Sequence, residues 1–211
     1  MNIQWLGHAC FLITLGDGKT IITDPFGDSV GYPQPGLKAD LVTVSHQHYD
    51  HNAVDKVGGS PRVIDTEGAH SYKNISVHGI PSWHDKNEGS QRGGNIMFVI
   101  EAEGVRVCHL GDLGHTLNPD QVSRLGRMDV LLIPVGGFYT IGPDEAARVV
   151  EQLNPGYVAP MHYKTDYIDF PIVTADEFLK NYPGYRTEKE LAVTRESIPD
   201  STQAVLLELR R

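Results

Sequence analysis

Nowhere in the 211-residue chain do about 18 apolar residues follow one another, so no segment reads as a membrane span. Only two cysteines are present, Cys10 and Cys108, with no Cys-x-x-Cys pair. A disulfide scaffold is thereby excluded, and each thiol is expected to be buried and reduced among strand-forming neighbours. Basic runs are missing too. Lys and Arg number 18 against 27 Asp and Glu, a formal charge of −9, which argues against a nucleic-acid partner gripped by a basic face. Ser45 and Ser82 lack a Gly-x-Ser-x-Gly setting, and a serine hydrolase is set aside. The opening residues, Met1-Asn-Ile-Gln-Trp-Leu, carry neither the basic nor the apolar region of a secretory signal, and a cytoplasmic protein is expected. Linkers, low-complexity stretches and fixed-period repeats are absent, so one domain over 1–211 is expected.

What is present is a series of short apolar runs set off by Gly, Pro and Asp. Ile3–Leu6, Cys10–Leu15, Thr20–Thr23, Leu41–Val44, Arg62–Ile64, Ile75–His78, Asn95–Glu101 and Val105–Leu110 read as strands. Gly-Asp-Gly-Lys at 16–19 reads as a hairpin turn. The second half alternates. Helices are expected over Pro119–Leu125, Asp144–Leu153 and Ala175–Asn181, and strands over Val130–Pro134, Tyr157–Met161 and Ala204–Leu209. The helix at 144 opens after Pro143 with two acids in its first turn, a good start signal. Strands first, then βαβα, indicate a layered α/β (α+β) fold.

The chemistry concentrates in His46-Gln-His48-Tyr-Asp50-His51, directly after the apolar run Leu41–Val44. His46 and His48 are two apart, so an extended chain points both imidazoles to one side. Asp50 and His51 follow as the chain turns and can address a second point nearby. Such nitrogen and oxygen donors suit Zn²⁺ or Mn²⁺, imidazole favouring zinc; a solvated histidine-rich turn is the bland alternative. One loop cannot complete two sites, so partners are sought downstream. His84 follows Pro81-Ser-Trp, Asp112 sits in Gly-Asp112-Leu-Gly, and His162 follows Pro160-Met, each after a strand. A carboxylate between glycines at a strand end is placed to bridge two cations. His70, expected in an exposed loop, and His78, expected within a strand, compete with His84.

His-x-His-x-Asp-His, a lone His, a Gly-Asp and a late strand-end His together resemble the signature of the metallo-β-lactamase superfamily. The resemblance runs from Trp5-Leu-Gly-His8 and Thr23-Asp24-Pro25 to Pro160-Met-His162-Tyr163. Those flanking motifs are most similar to the branch of ascorbate-6-phosphate lactonases and N-acyl phosphatidylethanolamine phospholipase D. The resemblance implies a four-layer αββα sandwich with the site on one sheet edge. It implies His46, His48 and His84 on one metal, Asp50, His51 and His162 on a second, and Asp112 bridging. Two divalent ions follow, zinc first, with manganese or nickel tolerated. The implied reaction is hydrolysis of a small-molecule lactone, phosphodiester or related ester, with metal-bound hydroxide as nucleophile and Asp50 and Asp112 orienting it.

The remaining candidates stay open. His8 is expected either as a packed histidine or near substrate, where it or His115 would protonate the leaving group. Asp24 is a turn former or a carboxylate orienting a ligand. Gly136-Gly137 and Lys164 are candidate contacts for an anionic substrate. Loops 28–36, 85–94 and 163–174 are expected to form the pocket. Rival readings are an iron-dependent oxidoreductase on the same scaffold and a non-catalytic metal- or ligand-binding protein. The sequence assigns no oligomeric state.

Overall fold

Fourteen short strands pair into two mixed sheets in a computed structural model that describes residues 1–33 and 36–211. In chain order they are β1 (Asn2–Gly7), β2 (Cys10–Thr14), β3 (Thr20–Thr23), β4 (Leu41–Thr43), β5 (Arg62–Ile64), β6 (Gly68–Tyr72) and β7 (Ile75–Trp83), then β8 (Gly94–Ala102), β9 (Val105–His109), β10 (Val130–Pro134), β11 (Tyr157–Met161), β12 (Arg186–Glu188), β13 (Leu191–Ala192) and β14 (Gln203–Leu207). The first sheet has the order β13-β1-β2-β3-β4-β5 and the second β12-β14-β11-β10-β9-β8-β7-β6. Their facing sides share one apolar core, in which Phe11 of β2 meets the ring of His109 of β9 at 6.1 Å. β4, β10 and β11 are buried at every residue, which is why they read as unbroken apolar runs rather than alternating ones.

Three α-helices follow in the second half: α1 (Pro119–Leu125), α2 (Pro143–Leu153) and α3 (Asp176–Leu179). Asn118 caps α1 by accepting the Gln121 N–H, and the Gln121 side chain returns the bond to the Asn118 N–H. Ala146, Val149, Val150 and Leu153 give α2 a buried stripe at helical spacing. In the first half the connections among the described residues are loops with two single-turn 3₁₀ helices, Asp28–Val30 and Val54–Lys56.

Strand direction decides where function collects. β2 is antiparallel to both β1 and β3, and β3 is parallel to β4, so β1, β3 and β4 run the same way. In the second sheet β9, β10 and β11 are parallel, and β7 runs with them because β8 is antiparallel to both β7 and β9. The residues just past these strands therefore gather at the carboxyl ends of each sheet, where ligands bind in layered α/β folds.

Most boundaries fall within a residue or two of expectation. β7 is longer, running through Gly79 and Pro81 where punctuation was expected. Its neighbour β6 stops at the Gly68–Gly79 pair. The Pro81 carbonyl points away from β8 and accepts from Gln121 Nε2 at 3.1 Å. Its missing N–H, on the same side, therefore faces no strand, the condition under which a sheet tolerates proline. His70 lies in edge strand β6 and is half-buried, a correction to the exposed loop expected there. His78 lies in β7 with its side chain exposed. The helix expected over Ala175–Asn181 is shortened to α3, ahead of Pro183. Within loop 28–36, Gln34 and Pro35 lie outside the described residues.

Candidate metal centre

Seven residues from four connections come together at the carboxyl ends of the two sheets. His46, His48, Asp50 and His51 follow β4; His84 follows β7, Asp112 follows β9 and His162 follows β11. Asp112 is the focus. Its Oδ2 lies 3.0 Å from His84 Nε2, 3.2 Å from His162 Nε2, 3.3 Å from His51 Nε2 and 3.9 Å from His46 Nε2. Donor atoms of His46, His48 and His84 lie within 4.8 Å of one another, as do those of His8, Asp50, His51 and His162. His8, which follows β1 after a register shift between Trp5 and Gly7, thus joins the second group.

The outer nitrogen of three imidazoles is spoken for. His51 Nδ1 donates to Asp24 Oδ2 at 2.9 Å, and His84 Nδ1 donates to the Tyr139 carbonyl at 3.1 Å. Ser45 Oγ donates to Asp24 Oδ2 at 2.5 Å, so its oxygen accepts from His46 Nδ1 at 2.9 Å. These bonds put the ring proton on Nδ1 and leave each Nε2 lone pair facing inward, the arrangement a metal ligand needs. Asp24 therefore orients two imidazoles. It also accepts the Ser45 N–H at 2.7 Å, and it is wholly buried.

Asp112 is held just as firmly. Its N–H donates to Asn95 Oδ1 at 2.9 Å, while Asn95 Nδ2 donates to the Leu110 carbonyl at 2.9 Å and to Ser82 Oγ at 2.7 Å. The preceding Gly111 has φ +55°, and a Cβ there would lie 2.3 Å from Asn95 Oδ1. Only glycine lets the chain pass. His109 lies behind it, Nε2 donating to the Ala9 carbonyl at 2.7 Å and Nδ1 accepting the Gly111 N–H at 3.1 Å. Three of the converging residues, His8, Asp24 and His162, hold positive φ values of 53°, 38° and 51° without being glycine. Such strain persists where the surroundings over-determine it, most often at functional sites.

Electrostatics hold His8, His46, Asp50 and Asp112 in the states that bind cations. Burial lowers His8 to about 4, helped by the neighbouring His162. Burial and the nearby His51 lower His46 to about 3, so both rings are neutral. Burial alone would raise Asp50 and Asp112, but adjacent imidazoles hold both below the usual carboxylate range: His8 and His51 for Asp50, His162 and His51 for Asp112. His51 is raised well above its ordinary value against the effect of burial, because it lies between Asp112 and Asp24. A cation at its Nε2 would replace that proton. Three buried atoms that face the centre, His46 Nε2, His51 Nε2 and Asp112 Oδ1, have no hydrogen-bond partner among the described residues. Leaving such groups unsatisfied is costly, and a divalent metal satisfies all three, so the donor set fits one.

The centre forms the floor of a cleft of about 340 Å³, lined by His48, Asp50, His84, Asp112 and His162, by Tyr49, Tyr139 and Phe170, and by Gln91 and Arg92. Loops 85–94 and 163–174 reach it; the described residues of 28–36 do not. His8 is fully buried behind Asp50, 3.2 Å from its Oδ2, and does not line the cleft. His115 is turned away, accepting the Trp83 N–H and donating to the Thr116 carbonyl. Lys164 is engaged by Asp169 and the Phe170 carbonyl. Gly136 is required because a Cβ would lie 2.1 Å from the His162 carbonyl oxygen, and the Gly137 N–H is taken by Ile141. Lys164 and the Gly137 N–H, offered by the sequence as contacts for an anion, are thus engaged within the chain.

Comparison with known proteins agrees with this geometry. Residues 2–162 match the Beta-lactamase superfamily domain. A UPF0173 metal-dependent hydrolase of Thermococcus onnurineus is 32% identical over 89% of this chain and 94% of its own. A Thermotoga maritima structure, provisionally described as a Zn-dependent hydrolase of the metallo-β-lactamase superfamily, is 43% identical with a TM-score of 0.83 over 99% of both chains. A diiron β-hydroxylase of Streptomyces venezuelae shares the fold alone, at 15% identity and a TM-score of 0.66 over 100% of this chain and 53% of that one. The protein is thus a metal-dependent hydrolase, a member of the UPF0173 family within the metallo-β-lactamase superfamily.

Proposed function

We propose that this enzyme hydrolyses a small-molecule lactone, phosphodiester or related ester at a centre of two divalent cations, zinc by preference. The observation that carries the reading is the convergence of four imidazole Nε2 atoms from both sheets on one carboxylate oxygen, Asp112 Oδ2, at 3.0–3.9 Å. His46, His48 and His84 would hold one cation, Asp50, His51 and His162 the other, and Asp112 would lie between them. Imidazole-rich donor sets favour zinc and tolerate manganese or nickel. Bound metal of this kind supplies hydroxide at neutral pH and polarises the substrate oxygen.

The chain's own residues do the positioning. Asp24 and Ser45 fix the rings of His51 and His46, Tyr139 fixes His84, and Asn95 fixes Asp112. His8 acts through Asp50, donating from Nε2 and holding that carboxylate ionised, rather than on substrate. Tyr139 and Phe170 give the cleft an apolar wall beside the centre. The motifs around His8, Asp24 and His162 support the branch of phosphorylated-sugar lactonases and phosphodiesterases, which makes those two classes the first to screen.

Elemental analysis of protein purified without a histidine tag or chelator, followed by assays on lactones, phosphodiesters and thioesters, tests the proposal. About two zinc or manganese ions per chain, with turnover lost in Asp112→Ala, is the expected result. One ion or fewer after saturation with each metal, or full activity and metal content in Asp112→Ala, would overturn it.

A further inference from the structure

One cation among the cleft residues has no anionic partner. Arg92 is the one Lys or Arg that lines the cleft among the described residues, and its guanidinium forms no ion pair there. It lies 5.5 Å from the centre of the Tyr139 ring and 6.0 Å from that of Phe138. A guanidinium that rests on aromatic rings keeps its N–H donors directed outward in its own plane, in a fork that matches a carboxylate or phosphate.

Its position is built rather than incidental. The Asp85 carboxylate, buried beside His84, accepts the N–H groups of Asn87, Gly89, Gln91 and Arg92 at 2.7–3.0 Å. The His84 N–H donates to the Gly93 carbonyl at 3.1 Å, closing the loop on the residue that precedes Asp85. Lys86 ties the same loop to Glu145 of α2 at 2.5 Å. Arg92 is therefore fixed through its backbone relative to a centre residue, while its head group is left available. In a chain of formal charge −9, an unpaired cation at this place is a local device and not a general basic surface.

We propose that Arg92 receives an oxyanion substituent of the substrate, a carboxylate or phosphate separate from the bond that is cleaved. The inference rests on the hydrolytic reading of the metal centre and adds to it the charge of the substrate.

The test compares metal-replete wild type with Arg92→Gln and Arg92→Lys. The backbone N–H that binds Asp85 survives both substitutions. Two esters with the same leaving group are used, neutral 4-nitrophenyl acetate and anionic mono-4-nitrophenyl succinate. The ratio of kcat/KM for the anionic to the neutral ester is expected to fall roughly tenfold to hundredfold in Arg92→Gln and by less in Arg92→Lys. Calorimetric titration with succinate and, separately, inorganic phosphate reads the same contact without turnover. Greater loss for one anion tells which substituent the site takes. An unchanged ester ratio, or equal affinities of wild type and Arg92→Gln for both anions, would overturn the proposal. Metal content measured on all three proteins keeps the two readings separate. A wild type that binds no metal counts against the hydrolytic centre, whereas full metal loading with anion binding independent of Arg92 counts against this inference alone.

Discussion

Asp24 never reaches the cleft, yet removing its charge should weaken metal binding, and Asp24→Asn is the cleanest way to do it. The residue has φ +38°, a conformation that asparagine accepts and alanine does not. Asparagine also keeps an oxygen for the Ser45 N–H, now 2.7 Å from Asp24 Oδ1. What changes is the other side of the group. An amide N–H would face His51 Nδ1, 2.9 Å from the present Oδ2, and Ser45 Oγ at 2.5 Å. His51 could satisfy that donor only by moving its proton to Nε2, the atom 3.3 Å from Asp112 Oδ2. Ser45 Oγ would lose its acceptor and with it the bond that sets His46. Loss of a partner behind a metal-ligating histidine typically costs 10–100-fold in affinity, or about 1.4–2.7 kcal/mol. The assay titrates zinc into metal-free protein against a chelator of known affinity, with urea unfolding of the metal-free variant as the folding control. Zinc affinity equal to wild type in a folded Asp24→Asn would refute the argument that Asp24 governs the two tautomers.

Other consequences are equally direct. Asn95→Leu keeps the branched shape but strips the Asp112 N–H and the Leu110 carbonyl of their partners; a loss of about 2–4 kcal/mol is expected by urea unfolding, and an unchanged midpoint would contradict it. Cys10 and Cys108 are buried, and burial raises both thiols, Cys108 to about 12. Ellman's reagent should label neither in native protein and both in guanidinium; rapid native labelling would show that the core opens. Asp85→Ala should free loop 86–93, seen as new protease cleavage there with the core intact. Burial would raise the Asp85 pKa, but its four backbone donors hold it lower, so its contribution is present above the ordinary aspartate range and lost as pH falls through the depressed value. Amide exchange at Asn87, Gly89, Gln91 and Arg92 should therefore stay slow through that range, and protection lost at pH 5 would count against the loop's dependence on Asp85.

What the sequence reveals depends on how locally each feature is encoded. His46 to His51 carry four donors within six residues behind an apolar strand, and periodicity plus residue type suffices to find them. Helix α1 announces itself through Asn118, Pro119 and Gln121, whose side chains make its cap. Strands β10 and β11 appear at their expected limits because burial on both faces leaves only apolar residues. β6 is a polar edge strand, β12 is the polar run Arg-Thr-Glu, and β13 spans only two residues, so none of them shows an apolar run. Ser45 and Asn95 are ordinary polar residues whose importance arises only when the topology brings Asp24 behind one and Asp112 beside the other. Arg92 was equally silent in sequence, because Tyr139 and Phe138 lie in a different connection.

The convergent residues are divided between the two halves of the molecule. His8, Asp24 and the run His46–His51 hang from the first sheet, whereas His84, Asp112 and His162 hang from the second. A cation held by both sets would thus be a cross-link between layers that otherwise meet through packing and a few hydrogen bonds such as that from His109 to the Ala9 carbonyl, and it would close chain loops as long as that from His51 to His162. Closing loops of such length in the unfolded chain is entropically expensive, as it is for a long-range disulfide. Metal in this protein would serve as a mechanical fastener as well as a reagent, and its removal should let the sheets part first at the rim where the cleft opens.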